Sequence, residues 1–267
     1  MIKGMNSHFK IGAVITIIVL VVIVIGAFWT PYDPNQMNGA DKMMGPCARH
    51  LFGTDNFGRD IFSRVVQGAG ATFLIAAATV AIGLIVGAII GLFTGYFGGW
   101  LDEVLMRIAD SILAFPSILL ALVLIAMFGG GKYNIILALG ILFIPSFARL
   151  VRTEVARQKS MDYVKNAKLM GVSTFRLLFV HILPNTVPVL LSSIAIGFNN
   201  AVLAEASMSF LGVGVQPPDP SLGRMLNEAQ GYLMSAPWYA MFTGLMIIIM
   251  ILGFGLIGEG LGGERNG

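Results

Sequence analysis

Few side chains in this sequence have the types and spacing that bond chemistry needs. His8, His50 and His181 are scattered, and neither a His-Glu-x-x-His zinc pair nor a Gly-x-Ser-x-Gly nucleophile turn occurs. Cys47 is the single cysteine, which excludes an internal disulfide and a cysteine-based metal cluster; it reads as a lone, unreactive thiol. Gly129-Gly130-Gly131-Lys132 has the residue types of a phosphate loop but not the spacing Gly-x-x-x-x-Gly-Lys-Ser/Thr, so ATP is not bound in that way. Asp55, Asn56, Gly58 and Asp60 bunch oxygen atoms without the calcium-loop pattern that ends in Glu. Asp55 and Asp60 are instead expected to pair locally with Arg59 and Arg64. Asp110 and Glu205 are acids in apolar surroundings, where such groups face a bundle interior or water. Asp110 follows Arg107 by three residues, which predicts a local pair. Glu205, with Ser207 two residues on, is a candidate pathway or gate residue; bonding of Glu205 to neighbouring helices is the alternative, and the favoured one.

The elements that must position these residues follow from composition. Of 267 residues, 56% are hydrophobic and 12% charged, and mean hydropathy is +0.82. Soluble domains carry about a quarter charged residues, so lipid must be the solvent for much of this chain. A crossing needs about 20 apolar residues. The uncharged windows place about six spans near 11–29, 73–96, 105–128, 134–156, 186–208 and 237–258. The first continues into Trp29-Thr30-Pro31-Tyr32 with no small-residue cleavage site, so it reads as a retained span and not a signal peptide. The fourth is the shortest apolar run, and Arg149 and Arg152 can extend it by snorkelling.

Lysine and arginine orient the bundle. With the N-terminus in the cytosol, Lys3, Lys10, Arg107, Arg149, Arg152, Arg157, Lys159, Lys165, Lys168, Arg176 and Arg265 lie inside. Six lie outside: Lys42, Arg49, Arg59, Arg64, Lys132 and Arg224. The positive-inside rule therefore places both termini in the cytosol. The outside loops are then about 31–70 and 210–236, and the large inside loop is about 157–185.

That inside loop has its own design. Ser160 is placed to cap a short helix, with Asp162 in the first turn complementing its dipole. Gly171 stands where a left-handed stop is needed, Ser173 can cap a second helix, and Pro184 is expected to end it. Val164, Ala167 and Leu169, beside Tyr163, are expected to form an apolar surface for another protein to cover. A segment lying on lipid is the competing reading of the same pattern.

The spacing Tyr163-Val164-x-x-Ala167-x-x-x-Gly171, followed by Leu183-Pro184, resembles the signature of permease subunits of binding-protein-dependent ABC importers. Their signature has a Glu-Ala-Ala triplet, a glycine four residues after it, and a later Leu-Pro. Lys165 and Asn166 depart from it, standing where Glu and Ala are usual. Residues 51–64, which include Gly53-Thr54-Asp55 and Gly58-Arg59-Asp60, resemble the outer-loop signature of the "C" subunit of dipeptide, oligopeptide and nickel permeases. Residues 203–218 and Ser235-Ala236-Pro237-Trp238 match the same subfamily. At the C-terminus Gly258, Gly260 and Leu261 fit, with Glu259 replacing an Asp.

The resemblance implies an all-α membrane protein of about six transmembrane helices with a cytosolic coupling helix, the MetI-like type I ABC importer permease fold. Residues 1–70 would form an N-terminal span and extracytoplasmic loop, 71–260 the permease core, and 261–267 a short cytosolic tail. It also implies a multi-pass protein of a bacterial or archaeal cytoplasmic membrane that imports di- or oligopeptides, with nickel or a metal chelate as the alternative cargo. Tyr163, Val164, Lys165, Asn166, Ala167, Gly171 and Pro184 would form the ATPase-coupling loop. The implied partners are a second homologous permease in a heterodimer, two ABC ATPase subunits and an extracytoplasmic solute-binding protein, with no nucleic acid. The chain itself would be no enzyme and hold no metal or cofactor; ATP and Mg belong to the ATPases. A secondary transporter would show internal repeats and broken helices bearing ion ligands, and a membrane enzyme would need a nucleophile or metal set. Neither signature stands out.

Overall fold

A computed structural model describes residues 7–263. Lys3 and Arg265, two of the charges used for orientation, and residues 264–267 of the expected tail lie outside the described residues. The chain forms helices α1 (Ser7–Phe28), α2 (Ile61–Phe97), α3 (Gly99–Leu113), α4 (Ser117–Phe128) and α5 (Lys132–Lys159). These are followed by α6 (Asp162–Leu169), α7 (Thr174–Arg176), a π-helical stretch at Leu177–Ile182, α8 (Leu183–Phe210), α9 (Leu222–Gln230) and α10 (Pro237–Gly263). Among the described residues there is no strand, only an isolated bridge between Thr54 and Asp60.

Five helical segments are long and apolar enough to cross a membrane, and six if α3 and α4 count as one bent span. The third span expected near 105–128 is not one continuous helix: α3 and α4 meet at 93°. The physical reason sits at Ala114-Phe115-Pro116. Proline lacks the N–H that would continue the ladder and disfavours helical backbone at the residue before it. The charges of α3, namely Asp102, Glu103, Arg107 and Asp110, also fit an amphipathic segment better than a crossing.

A second correction concerns Pro184, which does not end a helix. Thr174–Phe210 runs as one helical segment. The π turn just before the proline, closed by the Leu183 N–H donating to the Leu178 carbonyl, is a wider turn that absorbs the missing proline donor and its ring.

The most extensive packing in the bundle is between α2 and α5. Gly83, Gly87, Gly91 and Gly95 recur every four residues on one face of α2. A Cβ at Gly87 would lie 2.8 Å from the Ile144 carbonyl oxygen, and one at Gly91 only 2.5 Å from that of Ala148. Small residues let two membrane helices approach backbone to backbone, so dispersion contacts and not hydrophobicity hold them in lipid. Helix α1 lies against α10 in the same manner, with Gly12 against Ile257. Helix α8 completes the core through Phe198, Ala201 and Val202, which pack among Val80, Phe147 and Met250.

Candidate functional site

Three regions of the bundle hold the residues singled out above. The first is α6 and its turn. Gly171 adopts φ +77°, its N–H donates to the Lys168 carbonyl (3.1 Å), and the Val172 N–H donates to the Ala167 carbonyl (3.2 Å). These two bonds are a Schellman stop, which only a residue comfortable in left-handed backbone closes without strain. Ser160 does not cap α6: its hydroxyl donates back to the Arg157 carbonyl, and Met161 takes the cap position. Ser173 does occupy the cap of α7, without a side-chain bond.

The expected outward apolar surface keeps Leu169 and Tyr163 but is corrected at Val164 and Ala167. Val164 is buried and Ala167 half-buried in a cluster with Leu177, Leu178 and Ile182, so α6 fastens its apolar side to its own chain. The face left outward carries Lys165, Asn166 and Leu169, the last 86% exposed. Lys165 donates to Asp162 at 3.1 Å. Tyr163 donates to Gln158 at 2.9 Å, and partial desolvation holds its phenol above the ordinary tyrosine range.

The second region lies at the opposite end, where the loop before α2 meets α9. Asp55 accepts from Arg59 Nε (2.6 Å) and from the Phe57 and Arg59 backbone. Gly53 and Gly58 have positive φ around it, and the Thr54 hydroxyl donates to the Asp41 carbonyl. Asp60 does not form the expected pair with arginine; it caps α2 through Ser63 N (2.8 Å) and holds His50 Nδ1 (2.9 Å). A terminus capped by a carboxylate already satisfies that charge.

The centre of this region is Glu228 of α9, which local spacing did not single out. Its carboxylate accepts from Arg59 Nη2 (2.9 Å), Arg64 Nη2 (3.3 Å), Arg224 Nε (3.3 Å) and the Tyr239 hydroxyl (2.9 Å). Arg64 is 1% exposed and also donates to the Pro34 carbonyl. The loop, α2, α9 and α10 are thus fastened at one carboxylate.

The third region is a cavity of about 630 Å³ between α4, α5 and α8. Its wall is apolar with hydroxyls and one amide interspersed: Ser117, Ser146, Ser193, Asn200 and Ser207. None of the described lining residues is charged. Ser207 thus faces the cavity, whereas Glu205 does not. Glu205 is fully buried and accepts from Thr72 Oγ1 (2.8 Å) and Ser209 Oγ (2.6 Å). Those hydroxyls in turn accept the backbone N–H groups of Leu222 and Val215. Glu205 therefore ties α8 to α2 and to the segment leading into α9.

The family model described as "Binding-protein-dependent transport system inner membrane component" matches residues 87–262, from the second half of α2 to the end of α10. The chain belongs to this family. The permease is similar to the dipeptide transport system permease protein DppC of Alkalihalophilus pseudofirmus, at 38% identity over 96% of this chain and 84% of that protein. It is likewise similar to the glutathione transport system permease protein GsiD of Shigella flexneri, at 43% identity over 96% and 85%. With GsiD of Pectobacterium atrosepticum the identity is 38% over 97% and 87%. These alignments reach beyond the family match to include α1 and the loop of Asp55 and Arg59. The protein is a multi-pass permease subunit of a binding-protein-dependent importer, with the MetI-like helical fold.

One pairing in this permease differs from the one that spacing favoured. Asp110 bonds Arg149 of α5, not Arg107, and Arg107 bonds Glu103 at 3.0 Å. Arg152 forms a two-pronged pair with Asp102. The arginines expected to snorkel from α5 are instead held by carboxylates of α3.

Proposed function

We propose that this permease conducts di- or oligopeptides inward, driven by ATP that partner subunits hydrolyse. The observation that carries the reading is α6: a short helix stopped at Gly171, fastened to the bundle by Val164, with its other face outward. Such an element transmits force both ways, because it is stiff, anchored and still open to a partner. The outward residues Lys165, Asn166, Leu169 and Met170 are the contact for an ATPase subunit that binds ATP and Mg; this chain supplies no cofactor and breaks no bond. The excess of lysine and arginine on the α6 side supports a cytosolic position for α6 and both termini.

The neutral cavity wall supports the cargo class. Serine hydroxyls and the Asn200 amide can donate to or accept from a peptide backbone, while the apolar remainder tolerates varied side chains. The relatives are named for dipeptide and glutathione transport, which favours a peptide over nickel. A second homologous permease would close the open side of this cavity. A solute-binding protein would deliver cargo to the opposite end, where Glu228 holds the loop, α9 and α10 in one rigid surface. ATP binding then shifts the two halves between inward-open and outward-open arrangements, a population shift set by differential binding.

Reconstitution into liposomes with both ATPases, the second permease and the binding protein tests this. Peptide uptake is expected only with ATP on the α6 side; uptake driven by an ion gradient without the ATPases would refute the reading. Leu169→Glu, a change at an exposed position, should lower uptake by about tenfold or more while the chain still inserts and assembles. Unchanged uptake in that variant would remove α6 from the coupling path.

A further inference from the structure

Helix α3 is joined to α2 through two glycines and to α4 through a sharp bend. At the α2 side stand Gly98 (φ +65°) and Gly99 (φ +62°), and among the described residues nothing lies within 4 Å of where a Cβ would sit on either. At the α4 side the chain turns through 93°. Apolar packing adds little: Ala109 is buried, and the rest of α3 is half-buried or exposed, with Trp100 and Ile108 outward.

What holds α3 is charge. Asp102 engages Arg152 through both carboxylate oxygens, and Asp110 engages Arg149. Both arginines belong to α5 and stand one turn apart. The Arg152 backbone is pressed under Gly91 and Gly95, where a Cβ would come within 2.8 Å of its nitrogen and 2.6 Å of its oxygen. Those guanidiniums are therefore mounted on the close-packed α2–α5 unit. At its far end α5 leads through two residues into α6. On the other side α3 leads into α4, and Leu113, Ser117 and Ile118 line the cavity.

We infer that Asp102 and Asp110 are positioning residues for transport: their ion pairs lock α3 to the α2–α5 unit, so that displacement of α6 moves the α4 wall of the cavity. Without the pairs, the Gly98-Gly99 joint lets α3 lag, and α6 moves without reshaping the cavity. The two pairs are unequal. Asp102 is 17% exposed and bound in a fork, whereas Asp110 is 62% exposed. A forked, partly buried pair holds geometry, and an open one is largely screened. Asp102 is the principal lock.

The inference rests on the ATP-driven reading above, and the same reconstituted complex tests it. The readout is peptide imported per ATP hydrolysed. Asp102→Asn is expected to lower that ratio about fivefold or more, with ATP hydrolysis and the amount of assembled complex kept. Asp110→Asn should lower it less. Arg152→Asp alone should lower it as Asp102→Asn does, and the swapped pair Asp102→Arg with Arg152→Asp should restore it. Arg152→Lys, which keeps the charge but loses the fork, should fall between.

An unchanged ratio in Asp102→Asn would overturn the inference while leaving the transport reading standing. So would parallel loss of hydrolysis, assembly and uptake that the charge swap fails to restore, since that marks a purely structural role. Failure of the unmodified complex to import on ATP would instead overturn the reading itself.

Discussion

Glu228→Ala is expected to destabilise the protein by about 3–5 kcal/mol, the cost of leaving buried charge without its partner. The carboxylate answers Arg59 and Arg64, both almost fully buried, and also receives the Tyr239 hydroxyl. Removing it leaves Asp55 as the remaining carboxylate near Arg64, at 3.9 Å from its Nε. Arg224→Ala serves as the control. Its side chain reaches the same carboxylate at 3.3 Å from a more open position, so its loss is expected to cost about 1 kcal/mol or less. The check is the thermal midpoint of the detergent-solubilised protein, followed by loss of monodispersity. Glu228→Gln, which keeps an acceptor for Tyr239, should fall between the two. Equal midpoints for Glu228→Ala and Arg224→Ala would show that the network contributes little.

Gly91→Ala is expected to cost about 1–3 kcal/mol although it adds one methyl group. That methyl would stand 2.5 Å from the Ala148 carbonyl oxygen and 2.8 Å from the Arg152 nitrogen. Backbone atoms cannot swing aside as a side-chain end can, so α2 and α5 must separate along several turns. In lipid the lost contacts are not replaced by a hydrophobic driving force between helices. Gly244→Ala in α10 is the matched control: among the described residues nothing lies within 4 Å of its added carbon. Resistance to unfolding in graded SDS should drop for Gly91→Ala and hold for Gly244→Ala. Equal resistance would mean that the α2–α5 contact contributes little to stability.

Arg59, Arg64 and Asp55 stand close together in the chain, and their association was legible there. Glu228 was not, because it arrives from α9, 164 residues after Arg64 and 169 after Arg59, and no local pattern distinguishes it from a solvated helix acid. Asp110 went the other way. A pair with Arg107 is natural on one helix, yet the bend at Pro116 lays α3 along α5 and brings Arg149 to it. Val164 was legible as apolar but not as inward, since that direction depends on Leu177 and Leu178 folding back beneath α6.

By itself the sequence determined the membrane as solvent, about six spans, and the turn at Gly171. Each of these is a local property: a run of apolar residues long enough to cross, or one residue free to take positive φ. Only the tertiary structure decided which charges pair, that the third span breaks, that Glu205 bonds inward while Ser207 faces the cavity, and how closely α2 meets α5. Those depend on which surfaces come together across the bundle. There a partner brought within hydrogen-bond distance in a low-dielectric interior outweighs one that is merely near in the chain.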